Sequence, residues 1–254
     1  MIIFQNILAA IRGILLIFMM AVYLMGYAVT RIFWKHTRTS GLKLRKAYVR
    51  QMAFPILNIK VKVEGQPHDS AALYVCNHRS FSDPVIISKF VNAFVIAKAE
   101  IADYPVINKG AEVTGIIWVK RTDRNSRANA RRAFVEVVKG GHNILVYPEG
   151  TISTTKQTLP FKVGTFRGAA KENLTVVPVA LEYRDERDLW TVHNIIGQYM
   201  RTFGKWRTET KLTFGPAMKM EDGNVLAEKC EKWVNDELAK MHEGWSRMEF
   251  ENEA

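Results

Sequence analysis

The sequence predicts an α/β fold: a mixed, mostly parallel sheet flanked by helices and preceded by an N-terminal hydrophobic helical segment that anchors the chain to a membrane. Three observations lead there. From about residue 59 onward, short apolar β-rich runs alternate with helical stretches, the rhythm of strand–helix–strand units. Residues 13 to 30 contain no charged side chain; as a helix they cover about 27 Å, close to the thickness of a hydrocarbon core. The charge is also divided: ten Lys or Arg precede the first acidic residue, Glu64, and the remainder holds 26 basic against 25 acidic residues.

The division falls near residue 58, giving a membrane anchor with a basic juxtamembrane stretch over 1–58 and an α/β domain over 59–254. Trp34 follows the apolar run where an interfacial aromatic belongs. Beyond it come Lys35, Arg38, Lys43, Arg45, Lys46 and Arg50, preceded by Arg31, with Arg12 alone on the other side. The positive-inside rule then puts the α/β domain on the cytoplasmic side, and the same cations suit anionic headgroups. A helix lying in the interface fits these residues as well, so spanning and monotopic arrangements both stay open. The run is long and no small-x-small site follows it, which argues against a cleaved signal peptide. Basic charge gathered beside an apolar segment, with no nucleic-acid module, points to membrane lipids as partners and excludes nucleic acid.

In the domain, strands are expected over 59–63, 73–76, 94–97, 115–119, 144–147, 175–181 and 211–214, and helices over 84–90, 105–112, 125–139, 165–172 and 225–242. In the last helix Leu226, Cys230, Trp233, Val234, Leu238 and Met241 recur at helical spacing and read as a packing stripe. Cys76 and Cys230 form neither a disulfide framework nor a metal site and are expected as buried thiols.

Chemistry concentrates at Asn77-His78-Arg79-Ser80-Phe81-Ser82-Asp83, just after an apolar strand. Imidazole moves protons near neutral pH, and a carboxylate five residues on can fold back onto its second nitrogen. Asp83 before Pro84 is also what a helix N-cap and first residue look like, so spacing alone leaves both readings open. The stretch is an N-H-x4-D box and resembles the first motif of the glycerolipid acyltransferases. That resemblance implies His78 as general base and Asp83 as the group that orients it. Strand 115–119 runs into Lys120-Arg121, which resembles the second motif and implies that Arg121 binds the acceptor's phosphate; a guanidinium fork suits a phosphate dianion. Tyr147-Pro148-Glu149-Gly150-Thr151 matches the family's P-E-G-T box, implying acceptor contacts at Glu149, Gly150 and Thr151. Val176-Val177-Pro178-Val179 resembles the fourth motif and is taken as structural, lining the acyl channel at most.

The chain departs from the family at Ile152, where an arginine usually follows the threonine. Lys156 or Lys162 stands in for the lost cation, Lys162 the favoured of the two, or else the acceptor lacks a phosphomonoester, as in lyso-ornithine lipids. The resemblance thus implies acyl transfer from acyl-CoA or an acyl-carrier protein to a lyso-lipid, lysophosphatidic acid first, with no cofactor and no metal. Two other classes remain: a hydrolase using Ser80 or Ser82, against which stands the lack of a G-x-S-x-G elbow, and a lipid-binding protein without catalysis. Between Arg124 and Lys139 an amphipathic helix with a basic face is expected.

Overall fold

The computed structural model describes residues 2–35, 37–98, 114–119 and 124–245. The chain opens with α1 (Ile2–Phe33) and α2 (Arg38–Tyr48), then a π-helical turn (Val49–Ala53) and α3 (Phe54–Leu57). The α/β unit follows as β1 (Ile59–Glu64), β2 (Leu73–Cys76), α4 (Asp83–Ser88), β3 (Ala93–Lys98), β4 (Ile116–Val119), α5 (Arg124–Lys139), β5 (Asn143–Val146), α6 (Gly164–Lys171), β6 (Val176–Tyr183), α7 (Ile195–Phe203), β7 (Thr208–Phe214) and α8 (Gly223–Gly244). The expected helix over 105–112 lies outside the described residues, as does Arg121.

The seven strands form one sheet in the order β1-β7-β6-β2-β5-β3-β4, parallel except for the β6–β7 pair. Helices cover both faces, so the central strands β2 and β6 are buried along their whole length, while the edge strand β1 alternates buried or half-buried with exposed residues. Along β2, Leu73 and Val75 pack beneath α5, α6 and α8, while Tyr74 and Cys76 pack toward α3, α4 and α7. In the stripe expected on the last helix, Leu226, Cys230, Val234, Leu238 and Met241 are buried, and Trp233 packs half-buried against the same core. Both thiols are free and buried, and burial pushes the Cys230 thiol up to about 12.

Residues 38–57, for which the sequence suggested no element, form one nearly continuous helix. Pro55 has no amide proton and its ring would collide with the carbonyl a turn earlier; the wider π turn just before it accommodates both. Asn58, in the left-handed conformation at φ +50°, ends the helix and leads into β1. Leu42, Val49, Phe54 and Leu57 are buried in the core of the α/β unit. Two cations of the basic stretch also turn inward: Arg45 donates to the Thr114 and Ala93 carbonyls, and Lys46 to the Phe90 carbonyl at 2.9 Å. Lys43 and Arg50 remain exposed.

Helix α1 lies along the domain. Tyr199 donates to the Ala9 carbonyl at 3.2 Å, Tyr48 to that of Leu16 at 2.8 Å, and Tyr27 bonds Ser40 at 2.9 Å. Arg12 is buried and donates to the carbonyls of Phe203, Lys205 and Trp206 at 2.7–2.9 Å, satisfying the C-terminal end of α7. The opposite stripe, including Ile7, Ile11, Ile14, Phe18, Met25 and Ile32, is exposed.

Candidate active site

Strand β2 sits between β5 and β6, and its carboxyl end is the crevice where open α/β sheets assemble their reactive groups. Asn77 fixes the exit: its side-chain amide exchanges two 2.8 Å hydrogen bonds with the backbone of Leu181 in β6, as another strand residue would. The next residue, His78, therefore leaves the sheet at a fixed point. Its Nδ1 lies 2.7 Å from Asp83 Oδ2, and its ring stacks on Tyr147 with centroids 4.1 Å apart.

Asp83 is the first residue of α4 rather than its cap, and its carboxylate points back into the motif. Oδ2 accepts from the backbone amides of Arg79 at 2.7 Å and Ser80 at 2.9 Å, besides His78; Oδ1 accepts from the Tyr183 hydroxyl at 2.6 Å. Fully buried, the carboxylate finds in these donors the partners that water would otherwise supply. With Nδ1 held by that anion, Nε2 is the nitrogen free to exchange a proton with a reactant.

The P-E-G-T turn packs against the same loop. Glu149 is only 2 % exposed. Its Oε1 accepts from the His78 amide and its Oε2 from the Leu159 amide, both at 2.7 Å. Burial raises its pKa, and these two amides together with Arg79 oppose the rise. The resemblance implies a contact with the acceptor; in the structure each carboxylate oxygen accepts from a backbone amide, which fastens the histidine loop to the next motif. Gly150 has φ +72°, a backbone conformation that favours glycine, and the Lys162 side chain passes beside it. Thr151 and Lys162 are exposed at this turn and Ile152 is half-buried.

Arg79, which the sequence reading passed over, is 1 % exposed. It pairs with Glu182 at 3.0 Å and donates to the carbonyls of Ser153, Thr155 and Lys156. This cation beside the histidine is consumed in holding the loop that follows Ile152, and Lys156 contributes a carbonyl there while its side chain stays exposed. Ser82 is buried with its hydroxyl 2.8 Å from that of Tyr183, and Ser80 is buried too.

The imidazole opens onto an apolar cavity of about 470 Å³. Leu16, Met20 and Leu24 of α1, Leu44 of α2, Val85 of α4, Val95 and Ala97 of β3 and Ile116 of β4 line it; none of Val176 to Val179 does. The fourth motif is therefore core, in keeping with its burial in β6. Among the described residues, no group of three or more His, Cys, Asp or Glu converges as a metal site would.

The sequence family described as Acyltransferase matches residues 58–182, which contain His78, Arg79, Asp83 and Glu149. Among curated relatives, a chloroplastic 1-acyl-sn-glycerol-3-phosphate acyltransferase of Arabidopsis thaliana is 29% identical over 67% of this chain and 49% of its own length. The enzyme so named from Neisseria gonorrhoeae is 29% identical over 74% of this chain and 78% of its own. A lyso-ornithine lipid O-acyltransferase of Rhodobacter capsulatus is also 29% identical, over 63% and 55%. The chain thus spans about half the length of some of the curated relatives it matches. Among solved structures, the 1-acyl-sn-glycerophosphate acyltransferase PlsC of Thermotoga maritima superposes with a TM-score of 0.66 at 25% identity, covering 94% of this chain and 98% of that one. The histidine–aspartate pair at the end of β2, the glutamate-glycine turn beside it and these likenesses agree: the chain belongs to the glycerolipid acyltransferase family.

Proposed function

We propose that this protein transfers a fatty acyl group from an acyl thioester to the free hydroxyl of a lyso-lipid. The observation that carries the reading is a carboxylate-held imidazole at the wall of an apolar cavity. An alcohol is a poor nucleophile near neutral pH, whereas a thioester is already activated. His78 Nε2 removes the acceptor's hydroxyl proton while Asp83 steadies the imidazolium that forms. The alkoxide-like oxygen attacks the thioester carbonyl; the tetrahedral intermediate collapses, the carbon–sulfur bond breaks, and His78 returns the proton to the departing thiolate. Acyl-CoA or acyl-carrier protein supplies the thioester, and the acyl chain lies in the apolar cavity. Arg121 and Lys162 are the cations proposed for the acceptor's headgroup, beside Gly150 and Thr151; Glu149 acts by holding the loop.

The acceptor proposed first is 1-acyl-sn-glycerol 3-phosphate. Ile152 favours a second, phosphate-free acceptor such as a lyso-ornithine lipid, and the engagement of Arg79 with Glu182 supports it by occupying the cation that follows His78 in sequence. Labelled acyl-CoA or acyl-carrier protein offered with either acceptor tests both. Turnover on lysophosphatidic acid supports the first; turnover on the phosphate-free lipid alone supports the second. No turnover on either would leave a lipid-binding protein.

We propose further that the protein is monotopic, with α1 lying in one leaflet on the cytoplasmic side. Contacts from Ala9 to Tyr27 follow the domain for about 27 Å of helix, a length that a bilayer cannot enclose while the domain remains attached. Arg12, at the far end of the apolar run, is bonded to the same domain, so both ends of the run lie on one side of the lipid. The exposed stripe is what enters the lipid, with Arg31, Lys35, Lys43 and Arg50 at the headgroups. Replacing the exposed Ile14 and Phe18 by glutamate is expected to weaken sedimentation with anionic vesicles by more than about tenfold. Undiminished binding would refute this placement.

A further inference from the structure

Strand β6 ends in Glu182 and Tyr183, and because strand side chains alternate, the two grip the histidine loop from opposite faces of the sheet. Glu182 takes Arg79. Tyr183, on the other face, reaches Asp83: its hydroxyl lies 2.6 Å from Oδ1, the oxygen that does not hold the imidazole. The geometry points to Tyr183 as a positioning residue for the His78–Asp83 pair, a role that rests on the acyl transfer proposed above.

Proton counting fixes the direction of this contact. An ionised carboxylate only accepts, so the single hydroxyl proton of Tyr183 goes to Asp83. Toward Ser82 Oγ, 2.8 Å away, the same oxygen can then only accept. Burial, and next the charge of Asp83, push the Tyr183 phenol well above its ordinary range, so it stays a neutral donor. The tyrosine thus completes the four hydrogen bonds that Asp83 receives, from His78, Arg79, Ser80 and itself. Three of those donors belong to the motif loop and move with it. Tyr183 stands on the sheet, so it is the one that ties the carboxylate to a rigid element and sets its rotation.

The charge of Asp83 is the quantity at stake. The titratable and charged groups around it are Cys76 on β2, Arg79 on the loop, Tyr147 and Glu149 beyond β5, Glu182 on β6 and Asp188 in the turn after it. Of these, Arg79 is neutralised by Glu182, and Cys76 and Tyr147 are held uncharged by burial. Taking away the Tyr183 proton leaves Oδ1 without its donor in a buried place and concentrates the negative charge on the oxygen that faces His78. The imidazolium is then held more tightly, and the neutral, reactive imidazole appears only at higher pH.

Tyr183→Phe keeps the ring and removes only the hydroxyl. Expected for the full-length variant is a fall in kcat of about 10- to 100-fold, the size of one hydrogen bond to a charged group, with KM for donor and acceptor within about twofold. The acid limb of the pH–rate profile is expected to move up by about half a unit or more, and the titration of the His78 ring, followed by NMR in the protein alone, to move the same way. Ser82→Ala, which leaves the tyrosine proton on Asp83, should move both in the same direction by less. Lower activity with an unmoved His78 titration would make Tyr183 merely structural and overturn the proposal, as would wild-type kinetics. The NMR titration needs no turnover, so it tests the tyrosine even if the proposed acyl transfer is wrong; an unmoved titration there also refutes it.

Discussion

His78→Ala is expected to lower acyl transfer by about 10³-fold or more, with acceptor binding nearly intact. The imidazole is the group at this crevice whose Nε2 can accept a proton while Nδ1 is bound to a buried anion, and alanine offers nothing in its place. The fold should survive. The histidine side chain is 16% exposed, and Asp83 keeps its bonds from Arg79, Ser80 and Tyr183 when the ring is gone. Initial rates on the productive acceptor, beside a thermal melt of the same preparation, check both halves. Activity within about tenfold of wild type would remove His78 as the base.

Glu149→Gln should be nearly as damaging, for a different reason. Each carboxylate oxygen accepts one part-buried backbone amide, from His78 and from Leu159. Glutamine has a single carbonyl oxygen, so its NH₂ must face one of those amides, donor against donor. Hydrogen bonds to a charged group are worth about 1.5–3 kcal/mol each, and an orphaned amide adds its own cost. A loss of about 2–4 kcal/mol in stability is therefore expected. Released from its tie, the His78 backbone shifts and kcat falls by about tenfold or more, while KM for the acceptor changes little. Chemical denaturation and steady-state kinetics separate this from the role the motif suggests. A carboxylate that bound the acceptor would give a raised KM and an unchanged midpoint.

Much of this protein could be read from local patterns. The seven strands are where the β-rich runs lie, with β6 and β7 extending further than expected, to Tyr183 and back to Thr208. The Leu226 to Met241 stripe and the H-x4-D spacing each depend on residues close in sequence, so a helical period or a five-residue return could be seen in the chain itself. Helix α2 with its π turn and α3 could not be seen, because Pro55 within a basic stretch reads as a helix breaker unless the preceding turn is known to widen. Nor could α7, a nine-residue helix capped by Asn194 in a stretch where the family motifs are silent.

By itself the sequence determined the fold class and pointed to the exit of β2, since both rest on periodicity; the His78–Asp83 pair was implied by the resemblance of its H-x4-D box, because spacing alone fits a helix start as well. The tertiary structure decided what holds that pair. Tyr183 lies a hundred residues from Asp83 along the chain, Arg12 is 191 residues from the carbonyl of Phe203 that it caps, and the cavity's walls come from helices and strands at opposite ends of the sequence. Such contacts arise only when the sheet brings distant segments to one edge, and no local pattern encodes them. The same holds for Glu149 and Arg79, whose charges look available in the sequence. Once folded, their hydrogen-bonding groups are engaged with backbone amides and carbonyls and with Glu182, because a buried charge is stable only when its neighbours satisfy it.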